Sequence, residues 1–246
     1  MFLVSLGCSW TKGVGVSYYD GITQEEYKSN LKKDCDEYSF RALLSKRLGY
    51  TNVDLSGSGS SNQRQERKAI EYFTSNIKNT LVLWGITSTA RTELWYNPSG
   101  RLENFMFNSK NQPLNRRLKE MGKQQFDPKE YVSKFYNKEY EVERLTNMML
   151  HWNVFFENCG IMNYWFDTFN TLDYKKNIPR MLNGDLLTRL TKTGEDHQSI
   201  WEDDCDRIHI AKQKGIVNPY SLHPTKKGHT MIADILEKHI NERIST

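Results

Sequence analysis

Near the start of the chain, apolar residues gather in short runs that stop on glycine. Further on they recur at helical spacing. Phe2, Leu3, Val4 and Leu6 form a compact run halted by Gly7, which reads as a buried strand. A polar stretch over residues 10–36 follows. It is too long for an ordinary strand-to-helix turn and predicts a loop over one end of a sheet. Phe40, Leu43, Leu44 and Leu48 recur with helical period, and Gly49 ends that helix. Residues 52–55 give a second strand. It runs into a loop of small residues, Ser56-Gly57-Ser58-Gly59-Ser60-Ser61-Asn62. Ala69, Ile70 and Phe73 mark the next helix, and residues 80–84 give a third strand ending at Gly85.

This strand–loop–helix alternation predicts a single α/β domain over residues 1–246, with a parallel sheet covered by helices on both faces. Ligands bind such sheets at the carboxyl ends of the strands. The site is therefore expected where Gly7, Gly59 and Gly85 converge. Residues 93–138 break the rhythm. They are polar, rich in Asn, Lys and Arg, and read as an insertion of loops and short helices. Val142, Leu145, Met148, Met149, Trp152, Phe155 and Phe156 then form an amphipathic helix whose stripe belongs to the core. Residues 160–166 suit a fourth strand. The segment 173–214 carries no clear pattern. Thr225 opens a final helix with Ile232, Ile235, Leu236 and Ile240 on its buried face.

Composition narrows the classes. The chain is 37% hydrophobic and 26% charged, a globular balance. No apolar run is long enough to cross a bilayer. The apolar start lacks a basic leader and turns polar at once, so it reads as a strand rather than a signal peptide. Four scattered cysteines, Cys8, Cys35, Cys159 and Cys205, have no metal-type spacing and fit reduced thiols in a cytosolic setting. A net charge of +4 does not call for nucleic acid. The basic cluster Arg116, Arg117, Lys119 and Lys123 reads as a solvated face. Glu195, Asp196, His197, Asp203, Asp204, Asp206 and His209 match no standard metal spacing and read as an acidic solvated loop. No metal or cofactor is expected.

Two places can carry chemistry. In Gly7-Cys8-Ser9-Trp10-Thr11, a serine follows a strand in a tight turn, where backbone N–H groups can bind a developing oxyanion. In His223-Pro224-Thr225, a histidine stands just before a helix start. Its neutral-range pKa suits a general base.

These two stretches, taken with two others, resemble the blocks of the SGNH (GDSL-like) hydrolases. Residues 7–11 resemble the first block in its Gly-Cys-Ser-aromatic-Thr form, which is common in bacteriophage proteins. Residues 56–62 resemble the second block, with Gly59 as its glycine. Trp84-Gly85-Ile86-Thr87 falls where the third block, Gly-x-Asn, belongs. Leu222-His223-Pro224-Thr225 with Gly228-His229 resembles the last. The resemblance implies a flavodoxin-like three-layer α/β/α sandwich, with the long insertion before the last strands. It implies Ser9 as nucleophile and His223 as base. Ser9 and Gly59 become oxyanion donors, with Thr87 at the asparagine position and Asn62 as its substitute. Arg91 and Trp10 are assigned to substrate binding. The phage-like form implies a viral or bacterial cytoplasmic product.

Two positions depart from the family pattern. Tyr220 stands where the family has an aspartate, and losing that carboxylate function costs about 10⁴ in turnover in a Ser-His-Asp triad. A backbone carbonyl, Asp204 or Asp206 is left to orient His223. Thr87 replaces the asparagine, and one lost oxyanion donor costs about 10²–10³. The expected activity is a Ser-His serine esterase acting on a small acyl ester such as an O-acetyl group on a carbohydrate. Insertion aromatics (Trp95, Tyr96, Phe105, Phe107, Tyr131, Tyr136) are candidates to stack on sugar rings. The alternative is a catalytically degenerate module that binds a glycan or a protein. A nucleic-acid-binding role has only the basic cluster behind it.

Overall fold

The computed structural model describes residues 1–76, 79–96, 100–106, 116, 118–120, 122, 127–169, 171–192 and 206–244. Four strands make one parallel sheet: β1 (Phe2–Leu6), β2 (Thr51–Asp54), β3 (Thr80–Ile86) and β6 (Met162–Asp167), in the order β2-β1-β3-β6. The register sets Val4 beside Val53 and Val82, and Leu83 beside Tyr164. Met181 adds a single parallel bridge to Trp165 at the β6 edge.

Alternation along the strands divides the core in two. Leu3, Leu81, Leu83, Tyr164 and Phe166 face one side. There they meet α3 (Phe40–Leu48), α7 (Leu186–Thr191), α8 (Asp206–Gln213) and α9 (Lys226–Ile244). Val4, Leu6, Val82, Trp84, Ile86 and Trp165 face the other side. They are covered by α4 (Asn62–Phe73) and α6 (Lys138–Asn158). The result is the expected three-layer α/β/α arrangement. The chain runs from β1 to β2 through helices on one face and returns to β3 through α4 on the other. The strand order therefore reverses beside β1, which opens a crevice at the carboxyl ends of β1 and β3.

Two segments differ from their sequence reading. The expected loop over residues 10–36 contains α1 (Ser9–Lys12) and α2 (Gln24–Tyr38). A capping box starts α2: the Thr23 hydroxyl accepts the Glu26 N–H, and the Glu26 carboxylate accepts the Thr23 N–H. Of its fifteen residues only Cys35 is buried, so the helix had no apolar stripe to announce it. The insertion begins with an antiparallel hairpin, β4 (Arg91–Tyr96) and β5 (Arg101–Met106), rather than loops and helices alone. The short helix α5 (Pro128–Phe135) closes the insertion before α6. Arg67 of α4 pins the hairpin to the domain through the nearly buried Glu93 at 2.8 Å.

Cys8, Cys35 and Cys159 are free thiols. Cys205, Arg117, Lys123, Tyr96's side chain, Phe107 and most of the acidic stretch (Glu195, Asp196, His197, Asp203 and Asp204) lie outside the described residues. Among the described residues no group of His, Cys, Asp and Glu is placed to hold a metal. No described helix is long and apolar enough to cross a membrane.

Candidate active site

The site is built on the turn after β1. A Cβ at Gly7 would collide with the Thr11 side chain, so only glycine lets the strand turn directly into α1. Ser9 opens that helix and is nearly buried. Its carbonyl accepts N–H groups from Gly13 at 3.1 Å and Val14 at 3.0 Å, which fixes the turn from below.

His223 reaches the serine from the other end of the chain. Its Nε2 lies 2.8 Å from Ser9 Oγ, within hydrogen-bond reach. The loop that presents it is capped by Asn218. The Asn218 Oδ1 accepts N–H groups from Tyr220 at 2.8 Å and Ser221 at 3.3 Å. The Asn218 carbonyl accepts the Leu222 N–H at 2.9 Å, and the His223 carbonyl accepts the Asn218 N–H at 2.8 Å. Leu222 is held at φ +56° within this turn. Thr225 then anchors α9 by donating its hydroxyl to the Gly215 carbonyl at 2.7 Å. Behind the ring, Gly15 packs so closely that an added Cβ would lie 2.6 Å from His223 Cβ.

Burial, and after it the Arg91 cation, lower the His223 imidazole pKa to about 4, with a backbone hydrogen bond at Ser221 offsetting part of the shift. The ring is therefore neutral at physiological pH, the form a general base requires. Its Nδ1 is buried with no hydrogen bond of good geometry, and the Ser221 backbone is the group that favours the ring's charged form. Tyr220, at the family aspartate position, turns away. It is 87% exposed and stands edge-on to Tyr18. Asp206 begins α8 and is exposed.

The second and third loops close on the first. The Gly57 N–H donates to the Gly7 carbonyl at 3.1 Å. Gly59 occupies the exposed tip of that loop at φ +67°, a left-handed conformation that suits glycine. Asn62 is buried at the start of α4. Its Nδ2 donates to the Thr87 carbonyl and its Oδ1 accepts the Thr87 N–H, both at 3.0 Å. The amide thus holds the third loop in place. Thr87 itself is buried, and its hydroxyl makes no hydrogen bond among the described residues.

The two residues assigned to substrate fare differently. Arg91 follows the third loop and is fixed by its N–H to the Ser88 carbonyl at 3.2 Å. Its guanidinium lies 5.4 Å from the Phe169 ring centre. Trp10 is only 2% exposed and belongs to the core, where it meets Phe169 edge-to-face at 5.3 Å. Little of the Trp10 ring is open for a substrate to touch. Consecutive helical residues point about 100° apart, so Trp10 turns away from the side on which Ser9 meets His223. Of the insertion aromatics, Phe105 is buried, while Trp95 is 63% exposed.

Sequence reasoning missed Phe169, Asn218 and the buried role of His229. The His229 Nδ1 accepts the Phe40 N–H at 3.3 Å, and burial lowers its pKa to about 3. A signal for His229 was present: it sits in register with Ile232, Ala233, Leu236 and Ile240 on the buried stripe of α9. Asn218-Pro219 likewise carried a turn signal ahead of the histidine.

No protein-family model matches the chain, and no curated protein matches it. Solved structures similar to it include a psychrotrophic esterase from a Pseudoalteromonas species, with 11% identity, 99% of both chains covered and a TM-score of 0.43. An extracellular lipase from Streptomyces rimosus matches at 12% identity, covering 96% of this chain and 98% of its own, with a TM-score of 0.43. A G-D-S-L-family lipolytic protein from Desulfitobacterium hafniense matches at 11% identity, with 96% and 98% covered and a TM-score of 0.36. The fold assignment rests on the strand order and crossovers of the chain itself.

Proposed function

We propose that this chain is a serine ester hydrolase of the SGNH type, acting through a Ser9–His223 dyad. The observation that carries this reading is the 2.8 Å contact between Ser9 Oγ and a neutral His223 Nε2 at the carboxyl edge of the sheet. Ser9 Oγ attacks the ester carbonyl as its proton passes to Nε2. The imidazolium then protonates the leaving alcohol, and water releases the acyl group by the same route. Backbone N–H groups of Ser9 and Gly59 hold the oxyanion. Asn62 and Thr87 shape the third side of that hole, and Arg91 contacts the substrate. The substrate is a small acyl ester, with the O-acetyl group of a carbohydrate as its natural form. The product is proposed to work in the cytoplasm of a bacterium or a phage-infected host.

The second reading is a binding module that has lost turnover. The outward-facing Tyr220 favours it, because His223 then lacks a carboxylate partner among the described residues. Hydrolysis of p-nitrophenyl acetate by the purified protein and its Ser9→Ala variant separates the two. Turnover abolished by the substitution supports the esterase. Turnover unaffected by it, or absent from both proteins, overturns the dyad as the working centre for this ester.

A further inference from the structure

The helix α2 has little apolar surface to bury, yet it lies against the loop that follows the nucleophile. Only Cys35 is buried in it, and Tyr27 is half-buried. Both of these side chains end on a glycine. The Gly15 N–H donates to Tyr27 Oη at 3.1 Å, and the Cys35 thiol donates to the Gly13 carbonyl at 3.3 Å. Burial pushes the Cys35 thiol up to about 11, so it keeps the proton that it donates.

Each glycine in turn meets one member of the dyad. The Gly13 N–H donates to the Ser9 carbonyl at 3.1 Å. Gly15 backs the base, where an added Cβ would lie 2.6 Å from both His223 Cβ and the Pro224 carbonyl oxygen. The two glycines stand at φ +98° and +101°. Glycine has the most backbone freedom to lose, so a loop built on two of them stays fixed only if it is held from outside. The far end of α2 makes a third tie. Lys226, which opens α9 just after His223-Pro224-Thr225, sets its Nζ 3.7 Å from the centre of the Tyr38 ring.

We propose that α2 is a strap that sets the spacing of the dyad, with Tyr27 and Cys35 as positioning residues. Tyr27 acts on His223 through Gly15, and Cys35 acts on Ser9 through Gly13. The proposal rests on the Ser9–His223 reading and adds to it two residues that touch neither the substrate nor the reacting atoms. A general base must stay within hydrogen-bond reach of the hydroxyl it deprotonates. Loosening the strap lets the two drift apart and leaves the substrate's own contacts in place.

Tyr27→Phe keeps the ring and removes the oxygen. On p-nitrophenyl acetate its kcat should fall about 10-fold, short of the roughly 10² that a full 1 Å misplacement costs. KM should stay within about twofold, because the same base serves acylation and deacylation. Cys35→Ala should lower kcat as well, and Cys35→Ser, which restores a donor, should recover part of the loss. An unchanged kcat in Tyr27→Phe overturns the proposal, and a serine no better than alanine overturns the part assigned to Cys35. A second measurement needs no turnover: the His223 imidazole titration followed by NMR. Burial is the main cause of its midpoint near 4, so a ring whose backing has loosened should admit water and titrate higher in Tyr27→Phe. A midpoint equal to that of the unmodified protein overturns the proposal. If the unmodified protein hydrolyses no ester, the esterase reading falls, while the titration still decides whether α2 positions His223.

Discussion

The side-chain amide of Asn62 holds the backbone of Thr87 at both its donor and its acceptor, each at 3.0 Å. That pair joins the start of α4 to the end of β3, so the second and third loops move as one. Asn62→Ala leaves two buried backbone groups unpaired. It should cost about 1–3 kcal/mol of stability in urea unfolding. It should also lower kcat/KM on p-nitrophenyl acetate by at least roughly 10-fold, through misplacement of the third loop. Wild-type values for both would mean that the pair has no part in shaping the site.

On the proposed mechanism, the depressed basicity of His223 sets the acid limb of activity. A general base works only in its neutral form, so kcat/KM falls as pH drops through the imidazole pKa. That midpoint is expected near 4, well below the ordinary value of 6.5. A pH–rate profile on a neutral aryl ester should stay flat from about pH 6 to 8. A limb at pH 6–7 would show the ring to be solvated or paired with an anion in the free protein.

Gly15 sits behind that ring at φ +101°, and its missing Cβ leaves room for both His223 Cβ and the Pro224 carbonyl. Gly15→Ala should displace the histidine. A shift of about 1 Å costs roughly 10² in rate, so activity should fall by at least that factor. The circular dichroism spectrum should remain that of a folded protein. Full activity in a folded variant would show that the loop yields without moving the ring.

The strands and the reactive turns were legible because each had a local cause. Apolar runs stopped at Gly7 and Gly85, the serine stood just past the first, and the histidine stood just before a helix start. What stayed hidden depended on tertiary contact. The helix α2 buries Cys35 alone and stands on its caps, so periodicity could not reveal it. In the hairpin, the paired Trp95 and Leu102 are both exposed, which erased the alternation that marks a strand. Phe169 lies 160 residues from Ser9 in sequence, by the difference of their numbers, and only the sheet brings its ring against Trp10. Nothing local in the sequence announces such a contact.

Asp167 gives a prediction about stability. It ends β6, is almost fully buried, and accepts the Leu172 N–H at 3.0 Å and the Tyr174 hydroxyl at 2.7 Å. Burial raises its pKa to about 7 despite those bonds, with nearby Asp185 adding to the shift. An unfolded aspartate titrates near 3.9. Between about pH 4 and 7 the native chain therefore keeps a proton that the unfolded chain has lost, and this group's contribution declines as pH rises. Asp167→Asn should flatten that decline by an amount on the order of a few kcal/mol in urea unfolding at about pH 5 and 8. An unchanged slope would mean that Asp167 is ionised throughout.

Ser9 meets His223 across 214 residues, and Phe40 meets His229 across 189. The nucleophile's turn is thus synthesised long before the histidine that pairs with it. On the proposed mechanism, a nascent or truncated chain lacking His223 and α9 holds an idle serine. Reactivity then waits until α9 docks against α3, so the hydroxyl is armed by tertiary folding and not before.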